Sequence, residues 1–231
     1  NKELYHNSDI IISRSSGVYG RQIADFVMGS ILYFNKNFDL YEKQMKSKIW
    51  QAHTPDKDLF NSTILIVGLG DIGQNIAKRA KASEMHVIGI KRTTGDSIEH
   101  VDQIYPLEKI DELLAVADFV VLAAPRTDET YRLFNEKRLR LMKKDAILIN
   151  VARGALVDQD ALIKTLKEGH LQAAVLDVTD SEPLASDNQL WNLDNALITS
   201  HSSGYSHSSA KLLYELFLEN LDALVLPLLE L

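Results

Sequence analysis

The chain has 231 residues, of which 45% are hydrophobic and 25% are charged, as is typical of a folded globular protein with one large domain or two small ones. Its formal net charge is −7, which argues against nucleic acid as a partner, because proteins that bind nucleic acid neutralise phosphates with clustered Lys and Arg. It has no cysteine and no apolar run near the roughly 18 residues of a membrane span. We therefore expect a cytoplasmic protein without disulfides, metal site or membrane association.

The first predicted elements are a short strand at residues 9–13 and one long helix at residues 21–46. Apolar side chains recur along the helix at spacings of three and four, so that they share one face. These side chains are Ile23, Val27, Ile31 and Phe34. The same kind of spacing predicts a last helix at residues 208–224.

Between these helices the sequence alternates between short apolar runs and helix-like stretches. The runs predict strands at residues 63–67, 86–90, 119–123, 146–151, 171–177 and 196–199. Asp158 and Gly169 are suited to cap the two ends of one intervening helix. Strands that alternate with helices pair in parallel and are buried on both faces. The predicted fold class is therefore α/β, with a Rossmann-type, doubly wound parallel sheet.

A glycine-rich turn follows the first of these strands. The residues Gly68-Leu69-Gly70-Asp71-Ile72-Gly73 lie between the strand and a helical segment. In that context the glycines permit a tight turn, close approach of the backbone to a pyrophosphate, and close helix–sheet packing. The anion would bind to N–H groups at the positive end of the helix. We predict a dinucleotide site here, with a glycine turn that binds no ligand as the alternative.

The strand predicted at residues 86–90 is followed by two basic residues, Lys91 and Arg92, and then by Thr93. An NAD site places an acidic residue at this position to bind the adenosine ribose hydroxyls, whereas cations and hydroxyls suit a 2′-phosphate. We therefore expect NADP(H) as the preferred cofactor, with NAD(H) as the alternative. A solvated basic turn, or an acidic role for Asp96, would also account for this segment.

Three polar segments follow later strands, at the end where open α/β sheets bind ligands. Arg153 follows the strand predicted at residues 146–151. Asp177 ends the strand predicted at residues 171–177, with Glu182 beyond it, and His201 follows the last predicted strand. Because the carboxyl ends of parallel strands meet at one edge of the sheet, we expect these side chains to line one crevice.

Together with the glycine turn, these segments resemble the D-isomer-specific 2-hydroxyacid dehydrogenases, over about residues 10–224. The further motifs that carry the resemblance are Trp50, Ala124-Pro125-Arg126-Thr127 with Thr130, residues 150–158, Leu176-Asp177-Val178, Glu182-Pro183-Leu184 and Leu190-Trp191. The resemblance implies that Arg153, Glu182 and His201 are catalytic. It assigns Asp177 to the nicotinamide amide and Asp71 and Ile72 to the pyrophosphate. The walls of the cofactor site would be Ala124, Pro125, Thr130, Val151 and Ala152.

The three implied catalytic residues suit the reduction of a small 2-keto acid such as glyoxylate or hydroxypyruvate. The guanidinium of Arg153 would bind the substrate carboxylate and the neighbouring carbonyl oxygen. His201 would donate a proton to the developing alkoxide and recover it in the oxidation direction. Glu182, if paired to the other ring nitrogen, would hold the tautomer and favour the charged imidazole.

The chain departs from the family in two places. Ser200 precedes the histidine where the family usually has proline, which leaves the approach to His201 less rigid. The resemblance also implies that the sequence begins at the last strand of the smaller substrate domain, whose front normally supplies N–H groups for the substrate carboxylate. We predict remnants of that domain at residues 1–19 and 204–231, around a dinucleotide-binding domain at residues 20–203.

The resemblance also implies a homodimer formed through the cofactor domain, to which the apolar face of the 21–46 helix could contribute. Two other functions fit the same scaffold. One is a corepressor-like regulatory protein, in which bound dinucleotide controls association rather than catalysis. The other is a formate dehydrogenase, which pairs its histidine with glutamine, so that Glu182 argues against it.

Overall fold

A computed structural model of the protein describes residues 13, 15–52, 57–93, 95 and 97–229. The chain divides into two compact units. The larger unit is Gly20–Gly204, and the smaller one combines Asn1–Tyr19 with Tyr205–Leu231. Apart from Ser13, the strand predicted at residues 9–13 lies outside the described residues.

The larger unit is built from seven strands and six α-helices in the described part of the chain. The helices are α1 (Gly20–Asn35), α2 (Phe38–Lys46), α3 (Asp71–Ala82), α4 (Ile110–Leu114), α5 (Glu136–Leu141) and α6 (Gln159–Lys167). The strands are β1 (Thr63–Val67), β2 (His86–Ile90), β3 (Gln103–Tyr105), β4 (Phe119–Leu122), β5 (Ile147–Asn150), β6 (Ala173–Leu176) and β7 (Ala196–Ile198). The smaller unit contains α7 (Ser209–Leu229), which begins one residue after the predicted start and extends past the predicted end.

The strands form one parallel sheet in the order β3-β2-β1-β4-β5-β6-β7. This confirms the predicted fold class. Strands β4, β5 and β6 have four residues each, and all of these residues are buried. This is expected for strands that are covered by helices on both faces. The six predicted strands are all present, and four of them are one to three residues shorter than predicted. The sequence prediction missed β3, which has only three residues and no apolar run.

The prediction of one long helix at residues 21–46 is wrong, because the helix is interrupted between α1 and α2. Asn37 has a φ of +53°, a left-handed conformation that asparagine tolerates better than most residues. The two helices differ in burial. Helix α1 packs against α3, whereas α2 has no buried residue.

The predicted role of the α1 apolar face in a dimer is also wrong. Its four apolar side chains, which are those of Ile23, Val27, Ile31 and Phe34, are all buried within the chain itself. Exposed apolar residues occur instead on α2 and just after it, at Phe38, Tyr41, Met45, Ile49 and Trp50.

The loops after β5 and β6 run side by side with their main chains in contact. A Cβ atom on Gly154 would lie 1.9 Å from the carbonyl carbon and oxygen of Thr179 and 2.4 Å from the nitrogen of Asp180. No side chain fits between these loops. Because residue 154 is a glycine, the loop that carries Arg153 can lie directly against the loop that carries Glu182.

We expect Gly154→Ala to destabilise the fold by about 3 kcal/mol or more, because its methyl group would collide with main chain that cannot rotate away. Gly29→Ala is the matched control, since a Cβ there meets nothing within 4 Å. Gly29 lies within α1, and alanine in a helix interior should stabilise by about 1 kcal/mol. Urea unfolding of both variants measures the difference. A Gly154→Ala variant as stable as the wild type would contradict the close contact.

Candidate active site

The glycine turn between β1 and α3 is shaped by close backbone contacts. Gly68 has a φ of +105°, and a Cβ on it would lie 2.7 Å from the nitrogen of Ala124. A Cβ on Gly73 would lie 2.0 Å from the carbonyl oxygen of Gly68. Both glycines are therefore required by packing, which places the first turn of α3 against the end of β1.

Gly70 differs, because a Cβ on it would meet nothing within 4 Å. It is the N-cap residue of α3 and makes no side-chain cap, so backbone N–H groups of the first turn are available to an anion. Packing does not explain a glycine at this position, whereas close approach of a ligand does. The turn thus fits the pyrophosphate of a dinucleotide.

The carboxylate of Asp71 is turned toward the start of α1. A Cβ on Gly20 would lie 2.4 Å from Oδ2 of Asp71, and Asn75 donates to Oδ1 at 3.1 Å. The negative charge thus lies near the positive end of α1. The backbone of Asp71 and Ile72 can then serve an anion at the start of α3 although the side chain of Asp71 is acidic.

The residues implied as cofactor walls differ in exposure. Ala124, Val151 and Ala152 are buried, and Pro125 is exposed. Thr130 is buried and its hydroxyl is used within the loop after β4: it donates to the carbonyl oxygen of Pro125 and accepts from the nitrogen of Thr127, both at 2.7 Å. Thr130 therefore holds the shape of this loop.

The basic segment lies directly after β2. Its backbone is joined to β3, because the nitrogen of Lys91 donates to the carbonyl oxygen of Tyr105 at 3.1 Å. Lys91 is half-buried, and Arg92 and Thr93 are exposed. Asp96, the alternative acidic residue, lies outside the described residues.

Arg153 has a fixed backbone and an exposed side chain. The fully buried Asn150 donates to the carbonyl oxygen of Arg153 at 2.9 Å and accepts from the nitrogen of Ala152 at 3.1 Å. The guanidinium donates to the carbonyl oxygen of Ala152 at 2.5 Å. Within the described part of the chain, no hydrogen bond or ion pair joins it to Glu182 or His201.

The role of Asn150 in holding this loop was not predicted from the sequence, where the residue appears only within the motif at residues 150–158. The available signal was one polar residue at the end of an otherwise apolar strand, Ile147–Asn150. A buried amide needs hydrogen-bond partners, and the turn that it shapes is the nearest source of them.

Glu182 and His201 form a hydrogen-bonded pair. Nδ1 of His201 donates to Oε2 of Glu182 at 2.8 Å, and the other carboxylate oxygen accepts from the nitrogen of Thr179 at 3.2 Å. Both side chains are about half exposed. They line an open cavity of about 550 Å³, together with Trp191 and Leu184. With Nδ1 engaged, Nε2 is the ring nitrogen that can exchange a proton with a ligand.

Asp177 lies beneath the histidine turn and is only 2% exposed. Burial raises the pKa of its carboxyl, but hydrogen bonds from the hydroxyls of Ser203 and Thr199 and from backbone N–H groups of residues 202 and 203 lower it, and the net pKa lies below its ordinary value. Asp177 is therefore a buried, fully hydrogen-bonded carboxylate. Sequence reasoning missed the two hydroxyl residues, although the run Thr199-Ser200-His201-Ser202-Ser203 is unusually rich in hydroxyls.

Two further features are absent from the described residues. No group of three or more His, Asp or Glu side chains is arranged to hold a metal ion there. Among the same residues, no helix combines the length and the apolarity needed to cross a membrane.

The parallel sheet and the glycine turn between β1 and α3 define a Rossmann-type dinucleotide-binding domain. A family model described as "D-isomer specific 2-hydroxyacid dehydrogenase, NAD binding domain" matches residues 28–203. The chain belongs to the D-isomer-specific 2-hydroxyacid dehydrogenase family.

Relatives of known name agree with this. A glyoxylate reductase from Pyrococcus horikoshii is 46% identical over 166 residues, which cover 72% of this chain and 49% of the relative. A glyoxylate reductase from Korarchaeum cryptofilum is 36% identical over 222 residues, covering 93% of this chain and 66% of the relative. The chain thus spans between half and two thirds of the length of these relatives.

Among solved structures, a D-isomer-specific 2-hydroxyacid dehydrogenase from Xanthobacter autotrophicus Py2, in complex with NADPH and MES, superposes with a TM-score of 0.85. It is 30% identical, and the match covers 96% of this chain and 90% of that one. The similarity therefore extends over nearly the whole described chain.

Proposed function

We propose that the protein is an NADP(H)-preferring 2-hydroxyacid dehydrogenase that interconverts a small 2-keto acid and its 2-hydroxy acid. The observation that carries the proposal is the His201–Glu182 pair, 2.8 Å apart at the carboxyl edge of the sheet that also bears the glycine turn. The substrate class is supported by the relatives named glyoxylate reductase, and the cofactor by a similar structure that contains NADPH.

A bound nicotinamide supplies the hydride for reduction. His201 donates the proton from Nε2 to the carbonyl oxygen. The carbonyl group thus gains one hydride and one proton and becomes an alcohol. Glu182 holds Nδ1 and stabilises the imidazolium before transfer. Arg153, exposed and on the adjacent loop, binds the substrate carboxylate once its guanidinium turns away from the carbonyl oxygen of Ala152.

The cofactor residues divide into three groups by chemistry. The backbone of the glycine turn and the start of α3 would bind the pyrophosphate. Lys91, Arg92 and Thr93 would bind the 2′-phosphate. The buried residues Ala124, Val151 and Ala152 and the loop held by Thr130 would form the walls. Domain boundaries at residues 19–20 and 203–204 belong to the same proposal.

We also propose that the protein forms a homodimer through α2 and the segment after it. Met45 and Trp50 are among the most exposed apolar side chains described, with exposed fractions of 73% and 103%. With Ile49 they border an open cavity of about 650 Å³. Clustered exposed apolar surface of this kind is typical of an interface.

His201→Ala should lower kcat for glyoxylate or hydroxypyruvate reduction by several powers of ten, because the proposed reaction takes its proton from Nε2 of His201. His100→Ala is the matched control, since His100 also has a left-handed backbone, with φ of +68° against +53° at His201. Initial rates with protein that includes any upstream coding region measure both. An unchanged rate in His201→Ala would remove the proposed acid.

Tight NADPH binding without turnover on any keto acid would favour the regulatory alternative.

Arg92→Asp should lower kcat/KM for NADPH by about 10- to 100-fold and raise it for NADH, because a carboxylate repels a 2′-phosphate and accepts from ribose hydroxyls. Lys78→Ala, an exposed cation on α3, controls for the loss of positive charge. Initial rates over a range of each cofactor give the ratio. Equal effects on both cofactors would contradict the assignment.

Trp50→Glu should convert the dimer to a monomer, because a charge in an apolar interface is not paired. Size-exclusion chromatography with light scattering measures the mass. Phe60→Glu, at an exposed aromatic residue outside the α2 segment, should remain dimeric. A wild-type protein that is monomeric at all concentrations would refute the homodimer.

A further inference from the structure

The carboxylate of Asp177 is fully occupied by donors from the histidine turn. Oδ1 accepts from the hydroxyl of Thr199 at 2.6 Å and the nitrogen of Ser202 at 2.9 Å. Oδ2 accepts from the hydroxyl of Ser203 at 2.5 Å, and the nitrogen of Ser203 is shared between both oxygens at 3.2 Å. An ionised carboxylate offers about four acceptor sites, and four donors fill them.

The donors lie on both sides of His201 along the chain. Thr199 precedes the histidine and Ser203 follows it, while the nitrogen of His201 itself donates to the carbonyl oxygen of Asp177 at 2.8 Å. Both the side chain and the backbone of Asp177 therefore bind the same five-residue turn. The turn is anchored at its start, its middle and its end.

The turn needs this anchoring for two reasons. His201 has a φ of +53°, which is unfavourable for a residue other than glycine and persists only where its surroundings impose it. Ser200 supplies no ring to restrict the backbone before the histidine, unlike the proline that is usual in the family. The hydroxyls of Thr199 and Ser203 supply the restriction from outside the backbone.

The position of the histidine ring relative to Glu182 depends on the turn. Glu182 is held by a different loop, through the nitrogen of Thr179, so that the 2.8 Å contact to His201 exists only while the two loops keep their places. Releasing the turn from Asp177 would move the ring while leaving Glu182 and the glycine turn where they are.

We propose that Thr199 and Ser203 are positioning residues for His201, acting through the carboxylate of Asp177. The role of His201 as the proton donor rests on the proposed function, whereas the placement of its ring does not.

Thr199→Val, Ser203→Ala and the double variant test the proposal. Each single variant should lower kcat about tenfold and the double variant more, while the dissociation constant for NADPH, measured by fluorescence, stays within twofold of the wild type. The NMR signal of the His201 Cε1–H group, assigned by its loss in His201→Ala, should move in each variant at fixed pH. Thr199→Ser keeps the hydroxyl and should restore both kcat and the NMR signal.

Thr165→Val is the matched control, because Thr165 is fully buried and donates to the carbonyl oxygen of Ala161 at 2.7 Å within α6. It should lose stability without moving the His201 signal. A His201 signal that stays in place in the double variant would overturn the proposal, as would a Thr199→Ser variant as impaired as Thr199→Val. A large loss of NADPH affinity with an unmoved signal would instead make Asp177 a cofactor ligand. A wild-type protein without reductase activity would reject the proposed function, and the NMR comparison would still decide the positioning role.

Discussion

The geometry of a parallel sheet is the constraint on which the rest of this structure depends. All seven strands point the same way, so every loop that leaves a carboxyl end does so at one edge. The interior of the strands is too apolar to hold chemistry, and the first polar side chains that the chain can present are those at the strand ends. The glycine turn, Arg153, Glu182 and His201 therefore share an edge although they are far apart in sequence.

Two buried polar groups turn that edge into defined loops. Asn150 ends β5 and bonds the backbone of residues 152 and 153, and Asp177 follows β6 and bonds the turn of His201. Leaving such a group unpaired costs about 1–3 kcal/mol, so each group favours one conformation of the loop that satisfies it. Neither side chain is hydrogen-bonded to the side chain of Glu182 or His201, yet both determine where the neighbouring loops lie.

Glycine determines the spacing of the same loops. At Gly68, Gly73 and Gly154 a single methyl group would collide with main chain, whereas at Gly70 it would meet open space. Three of these glycines thus bring backbone segments together, and the fourth leaves room beside the start of α3. In the glycine turn, Gly68 and Gly73 are therefore required by packing, whereas Gly70 leaves space for a ligand. The sequence motif does not distinguish these two roles.

The sequence by itself determined the parallel α/β fold and the six strands that coincide with apolar runs. It also determined the Asp158 cap of α6, which accepts from the nitrogen of Ala161 at 3.2 Å, and the left-handed Gly169 with φ of +66°. These features are local, because they depend on apolar periodicity and on the intrinsic preferences of single residues. Only the tertiary structure decided that α1 ends before Asn37, that the apolar face of α1 is buried in the chain itself, and that three residues form β3. It also decided the partners of Thr130, Asn150 and Asp177. Those outcomes depend on which distant segment comes within hydrogen-bonding or packing distance, and no window of the sequence contains that information.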